Sequence, residues 1–194
     1  MKYNLAFTAG ALLFDEAVMY INSIQDFTRY LDRSELVSMM SIPTNSESSK
    51  KRIKSELDKR LKNLDAGYLK TFAESSISDQ KAILFLAVCK TYTIIRDFML
   101  EVVYSKWKNF DNDLLTYDFQ YFLSTKLSSE EIDKISEKSR YKLSQVAILM
   151  LKNVGVFVNG KIIPVVLSDN LLQLLEKNND AWFLNCLLIN NLSN

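Results

Sequence analysis

Residues 48–64, SSKKRIKSELDKRLKNL, carry seven Lys/Arg and two Asp/Glu in a chain of 194 residues whose formal net charge is only +1. At about 100° per residue, Ile53, Leu57, Leu61 and Leu64 share one face of a helix. Lys51, Arg52, Lys59 and Lys62 project from roughly the opposite face, and Lys50 extends the run. Cations spaced this way can hold a row of phosphates, because each one displaces condensed counterions from a nucleic acid backbone. They can also dock an acidic protein surface, or simply solvate a helix. A second basic island holds Lys138, Arg140, Lys142 and Lys161. Residues 46–64 have seven Lys/Arg against three Asp/Glu, a net +4, and residues 136–164 have five against one, again +4. Residues 111–135 between them have two against six, a net −4. This asymmetry says more about partners than the overall sum does.

Base-edge readers are weaker candidates. Asn45, Ser48, Ser49 and Arg52 fall near the start of the first basic helix, and Ser139 and Gln145 on the second. Each such residue is more often a cap or a solvated side chain. Tyr117, Phe119, Tyr121 and Phe122 cluster in the acidic stretch, where a core role is expected rather than base stacking.

Catalysis finds little support, and no enzyme activity is expected. The chain has no histidine, so His-based acid–base work, Ser-His and Cys-His nucleophiles and His-ligated metals are absent. Gly10, Gly67, Gly155 and Gly160 are too scattered for a phosphate-cradling loop. Asp111, Asp113 and Asp118 could hold a hard cation, but the glycine and terminal Glu of a calcium loop are missing, and a capped connector is the expectation. Glu130 and Glu131 are accounted for by a capping box, with Ser128 and Glu131 three apart. No cofactor, metal or small-molecule substrate is expected. Cys89 and Cys186 sit in apolar runs and read as buried reduced thiols.

The elements that must position the two islands read as helices. Four glycines and two prolines leave few special turns, which favours a mainly α chain. Helices are predicted over Phe14–Ile24, Ser34–Met40, the basic segment, Tyr68–Glu74, Ser78–Lys90, Tyr92–Lys108, Thr116–Lys126, a short piece ending at Ile135, Glu137–Asn153, Asp169–Glu176 and Ala181–Ile189. Asn159-Gly160 inside VFVNGKIIPVVL signals a hairpin, and Pro164 places its strand at an edge. Two helices, a turn and a basic helix follow the order of a helix-turn-helix unit. Helix, helix and hairpin follow that of a winged helix, with Lys161 at the wing tip. The expected organisation is one compact unit, a helical bundle core with an N-terminal helix-turn-helix over 1–66, a helical core over 67–126, a winged-helix-like segment over 127–167 and a helical tail over 168–194. WFLNCLLI in that tail should pack on the core or on a partner.

The longest strongly apolar run, Ala82–Cys89, is far short of a membrane span. MKYNLAFTAGALLFDE imitates a signal peptide, but it lacks a small-residue cleavage site and runs at once into Asp15-Glu16. A cytoplasmic protein without a membrane partner is expected.

FTAGALL (7–13) with Glu16, SKKRIKSELDKRLKNL (49–64), LFLAVCKTYTIIRDFMLEVV (84–103) and SRYKLSQVAILMLKNVGVF (139–157) resemble the BrxA family, the small subunit of BREX bacteriophage-defence systems. The resemblance spans most of residues 3–167 in matching order. It implies an all-helical protein with winged-helix elements that binds double-stranded DNA. Such a protein would act without catalysis beside a methyltransferase, an ATPase and a phosphatase-like subunit. Lys50, Lys51, Arg52, Lys59, Lys62, Lys138, Arg140, Lys142 and Lys161 are the expected DNA contacts, taken from charge and helix geometry. The competing expectation is an adaptor that scaffolds the defence complex through its basic helices and apolar tail. A third is RNA binding.

Overall fold

The computed structural model describes residues 3–44 and 46–190 and is mainly helical, with one two-stranded antiparallel sheet. In chain order the elements are a 3-10 turn at Ala6–Ala9, then α1 (Phe14–Asn22), α2 (Phe27–Leu31), α3 (Glu47–Leu61), α4 (Ala66–Glu74), α5 (Ile77–Thr91) and α6 (Thr93–Phe98). A π-turn at Met99–Val103 carries α6 into α7 (Tyr104–Lys108). There follow α8 (Thr116–Lys126), α9 (Ser129–Asp133), α10 (Glu137–Val154), β1 (Phe157–Val158), β2 (Lys161–Ile162), α11 (Asp169–Lys177) and α12 (Trp182–Cys186). The chain gathers into two compact units: residues 12–91 with 167–179, here the α3 unit, and residues 1–11, 92–166 and 180–194, here the α10 unit.

In the α3 unit, α5 is the centre: every residue from Ala82 to Cys89 is buried. Asp79, also buried, accepts the Ser168 N–H at 3.2 Å and so fastens the cap of α11 to α5. Gly67 lets α4 approach α11 closely, since a Cβ there would sit 3.3 Å from Leu174. Ile53, Leu57, Leu61 and Leu64 face inward from α3 as their spacing predicts.

The helix expected over Ser34–Met40 does not form; the chain there is irregular apart from a 3-10 turn at Met39–Ser41. The short helix lies earlier, at Phe27–Leu31, because Asp26 caps it by accepting the N–H groups of Thr28 and Arg29. Glu35, needed for any later helix, instead turns back to accept the Gln25 and Asp26 N–H groups at 2.8 and 2.9 Å. Arg33 takes a left-handed φ of 69° and Asp32 accepts the Ser34 N–H, which stops α2 with an Asx turn.

In the α10 unit, Phe7 of the first 3-10 turn is fully buried against Tyr92 and Phe119, with ring centroids 6.0 Å away in each case. The α8 helix packs along α10. Ser128 and Glu131 form the expected capping box of α9. Asn159 (φ 50°) and Gly160 (φ 79°) make the turn joining β1 to β2, with Phe157 opposite Ile162 and Val158 opposite Lys161. Two consecutive positive φ values are the reason Asn-Gly suits this turn. The WFLNCLLI segment is spent inside its own unit: Phe183, Leu184, Cys186, Leu187 and Leu188 are buried, and α12 lies against the π-turn. Cys89 and Cys186 are buried thiols, neither of them in a disulfide. No helix among the described residues is long and apolar enough to cross a membrane.

Candidate nucleic-acid interface

Ser46 caps α3 through the Ser49 N–H, and Glu47 occupies its first turn, the favourable place for an acid. The inward face is not wholly apolar. Glu56 and Arg60, one helical turn apart, are 7% and 2% exposed and joined Nε to Oε1 at 2.6 Å. Arg60, one of the seven cations of the basic run, is therefore a buried structural charge rather than part of the stripe. Lys50 also leaves it: its side chain is largely covered and pairs with Glu47 at 3.5 Å.

Lys51, Arg52, Lys59 and Lys62 are exposed, as their helical positions require. Lys51, Lys59 and Lys62 line a concavity of about 440 Å³ together with Lys54, Ser55, Asp58, Arg33 and Met39. Arg52 lies outside it. Arg33 and Lys54 join the groove without a signal in the helical periodicity of the basic run. Arg33 reaches the groove from the turn after α2, a placement that depends on the Asx turn. Lys54 lies between the stripe and the buried face, at an angle that the two-face reading left unassigned.

Asp58 organises this floor. Its Oδ1 accepts the hydroxyls of Tyr20 at 2.7 Å and Tyr30 at 2.8 Å, and its Oδ2 accepts Lys54 Nζ at 2.7 Å. Burial works against the charged carboxylate, but the hydrogen bonds from Lys54 and the two tyrosines outweigh it and hold Asp58 below the usual carboxylate range. Burial and the adjacent carboxylate push both tyrosine hydroxyls well above their ordinary value. Lys54 also lies over the Tyr20 ring, 5.5 Å from its centroid. One carboxylate thus ties α1, α2 and α3 together while its negative charge is met by a lysine. The groove keeps an excess of positive charge.

The second island is dispersed within its unit. Lys138 is exposed in the first turn of α10. Arg140 is half-buried in a cleft with Tyr117, Tyr121 and Glu137. Lys142 is exposed beside Gln145 and Lys152. Lys161, at the hairpin, is ion-paired with Asp113 at 2.6 Å and joined to it by an isolated β-bridge. Ile162 N–H donates to the Asn112 carbonyl at 2.8 Å, so the acidic connector runs beside the hairpin and neutralises its cation. The other connector acids are engaged too. Asp111 takes Lys106 at 2.6 Å, which lowers its pKa, and Asp118 accepts the Leu115 N–H at 2.7 Å at the start of α8. These contacts are those of a capped connector, and among the described residues no group of three or more His, Cys, Asp or Glu could hold a metal ion.

Of the base-edge candidates, Ser48 shares a hydrogen bond with Ser46 at 2.8 Å and Ser139 one with Ser136 at 2.9 Å, so both belong to caps. Gln145 and Arg52 are exposed. Asn45 lies outside the described residues.

These features define a mainly helical protein whose most concentrated charge feature is a cationic groove on one helix. The BrxA family model matches residues 1–179, and the chain belongs to the BrxA family. A curated relative from Bacillus cereus (strain H3081.97), BREX protein BrxA, is 31% identical over 136 residues, covering 70% of this chain and 68% of that protein. The fold is also that of a crystal structure of an uncharacterized protein from Magnetospirillum magneticum. The two superpose with a TM-score of 0.72 at 17% identity, over 98% of this chain and 100% of the other.

Proposed function

We propose that this protein is a non-enzymatic, double-stranded DNA-binding component of a BREX-type phage-defence system, acting beside that system's other subunits. The observation that carries the reading is the groove on α3, where Lys51, Lys54, Lys59 and Lys62 converge with Arg33 around a single, already neutralised carboxylate. Phosphate neutralisation supplies most sequence-independent affinity for duplex DNA. Family membership supports the defence role.

In a helix-turn-helix reading, α1, α2 and α3 are the three helices, with α3 presented to DNA. Lys51, Lys54, Lys59 and Lys62 border a concavity rather than crown a ridge. A concave cationic surface embraces a phosphate backbone, so the contact positions the protein more than it reads sequence. In a winged-helix reading, α9, α10 and the hairpin form the second element. With Lys161 satisfied by Asp113, that wing contributes little to phosphate binding. Phe110, 92% exposed in the turn after α7, is an apolar side chain that a protein contact could cover, which is the adaptor reading.

Binding of labelled random duplex, measured by fluorescence anisotropy with structured RNA as competitor, tests the proposal. DNA binding lost in Lys51/Arg52/Lys59/Lys62→Ala and resistant to RNA supports it. A folded quadruple variant that keeps full DNA affinity but loses a partner subunit makes the protein an adaptor. Displacement by RNA at lower concentration than by duplex moves the substrate to RNA.

A further inference from the structure

Phe119 and Phe122 of α8 are buried, as an aromatic cluster in a helical core should be, but Tyr117 and Tyr121 are not: they are 65% and 60% exposed. They stand one helical turn apart with ring centroids 6.3 Å away and planes 25° from parallel. Two large rings kept in water side by side lose the burial that normally stabilises an aromatic side chain. Facing them is Arg140 of α10, across a cleft of about 240 Å³ that Gln120, Ser124 and Glu137 also line. Further along α10, Tyr141, 51% exposed, borders a second concavity of about 410 Å³ with Lys142, Gln145 and Lys152. Tyrosine faces and cations therefore share two concavities along α8 and α10.

We infer that this face binds single-stranded nucleic acid, with unpaired bases stacked on Tyr117 and Tyr121 and Arg140 holding a phosphate. Aromatic faces interleaved with cations are the chemistry of strand binding without sequence readout, since every base has a π-face. A Tyr/Arg surface also suits a protein contact. The charge decides between them: Arg140, Lys142 and Lys152 line the two concavities against one acid, Glu137, which favours a polyanion. The inference does not rest on the α3 groove. It assigns the second basic island to an unpaired strand where α3 is assigned to a duplex.

Anisotropy of labelled oligo(dT) and of labelled duplex, each with the full-length protein, tests this. Tyr117→Ala/Tyr121→Ala should weaken oligo(dT) binding by about tenfold or more, the effect of one to two lost stacked bases, and leave duplex affinity unchanged. Tyr117→Phe/Tyr121→Phe should retain oligo(dT) binding, because stacking survives loss of the hydroxyl. Glu137→Gln should tighten it by removing the carboxylate from the cleft. Unchanged oligo(dT) affinity in the alanine pair, or no oligo(dT) binding by the unaltered protein at low salt, would overturn the inference. Capture of a defence-system subunit through the tyrosines, without oligo(dT) binding, would make this face a protein dock. If duplex binding fails but oligo(dT) binding keeps its dependence on the tyrosines, the α3 reading falls and this one stands.

Discussion

The two basic islands have the same charge excess in sequence and different fates in the fold. On α3, two cations of seven are withdrawn, Arg60 into a buried pair with Glu56 and Lys50 toward Glu47; Lys51, Lys54, Lys59 and Lys62 border a shared groove, and Arg52 is exposed outside it. Around α10 and the hairpin the cations are spread along a helix among tyrosines, and the one at the hairpin tip meets Asp113. Charge counted along a chain measures potential for a polyanion. Whether that potential is focused depends on what the neighbouring elements bring beside it. For α3 the neighbours bring Arg33 and tyrosine hydroxyls; for the hairpin they bring the acidic connector.

The largest effect should come from the pair that supports the α3 face. Glu56→Ala leaves Arg60 buried without its carboxylate, and denaturant unfolding should show a loss of about 3–5 kcal/mol. If the loss is below about 1 kcal/mol, Arg60 has found water and the pair is not what anchors the helix. Next is the groove. Lys51/Arg52/Lys59/Lys62→Ala should weaken duplex binding by about two orders of magnitude at low salt with the fold intact, whereas Lys138/Lys142/Lys161→Ala should change it only slightly. Equal losses would erase the contrast between the islands.

The Asp58 network predicts a pH signature in the α3 unit. Its carboxylate pKa is lowered in the fold, so its contribution is present above about pH 4, the unfolded value, and is lost as pH falls through the folded value. The Tyr20 and Tyr30 pKa values are raised, so their contribution is present below about pH 10 and is lost as pH rises above it. Thermal melts should therefore fall on both sides, and Tyr20→Phe/Tyr30→Phe should flatten the alkaline limb. An unchanged alkaline limb would mean that the hydroxyls are not held by Asp58. The smallest effect belongs to Lys161→Ala. It breaks an exposed pair, so stability should drop by less than about 1 kcal/mol and duplex affinity should hold.

Much of the fold was legible because it rests on local signals. The Ser128–Glu131 capping box, the Asn159-Gly160 turn, the helix over Thr116–Lys126 and the inward leucines of α3 each follow from residues within a few positions of one another. The misplaced second helix shows the limit. Ser34–Met40 has tolerable helix residues, but Asp26 caps an earlier start and Glu35 is drawn back to the chain before it. The groove was half legible. The stripe on α3 follows from periodicity, but Arg33 enters from a turn, and burial of Glu56 with Arg60 depends on what packs over them. The loss of Lys161 to Asp113 spans 48 positions, and no periodicity reports it. The packing of residues 167–179 with 12–91 is long-range in the same way.

The most direct test of the focused-charge account is the salt dependence of duplex affinity between about 50 and 200 mM, compared for the unaltered protein, the α3 quadruple variant and the Lys138/Lys142/Lys161→Ala variant. The slope of log affinity against log salt should become shallower by roughly three to four in the α3 variant, near one unit per phosphate contact removed, and stay put in the other. A slope that flattens instead in the Lys138/Lys142/Lys161→Ala variant, or no duplex binding at the lowest salt, would contradict the account.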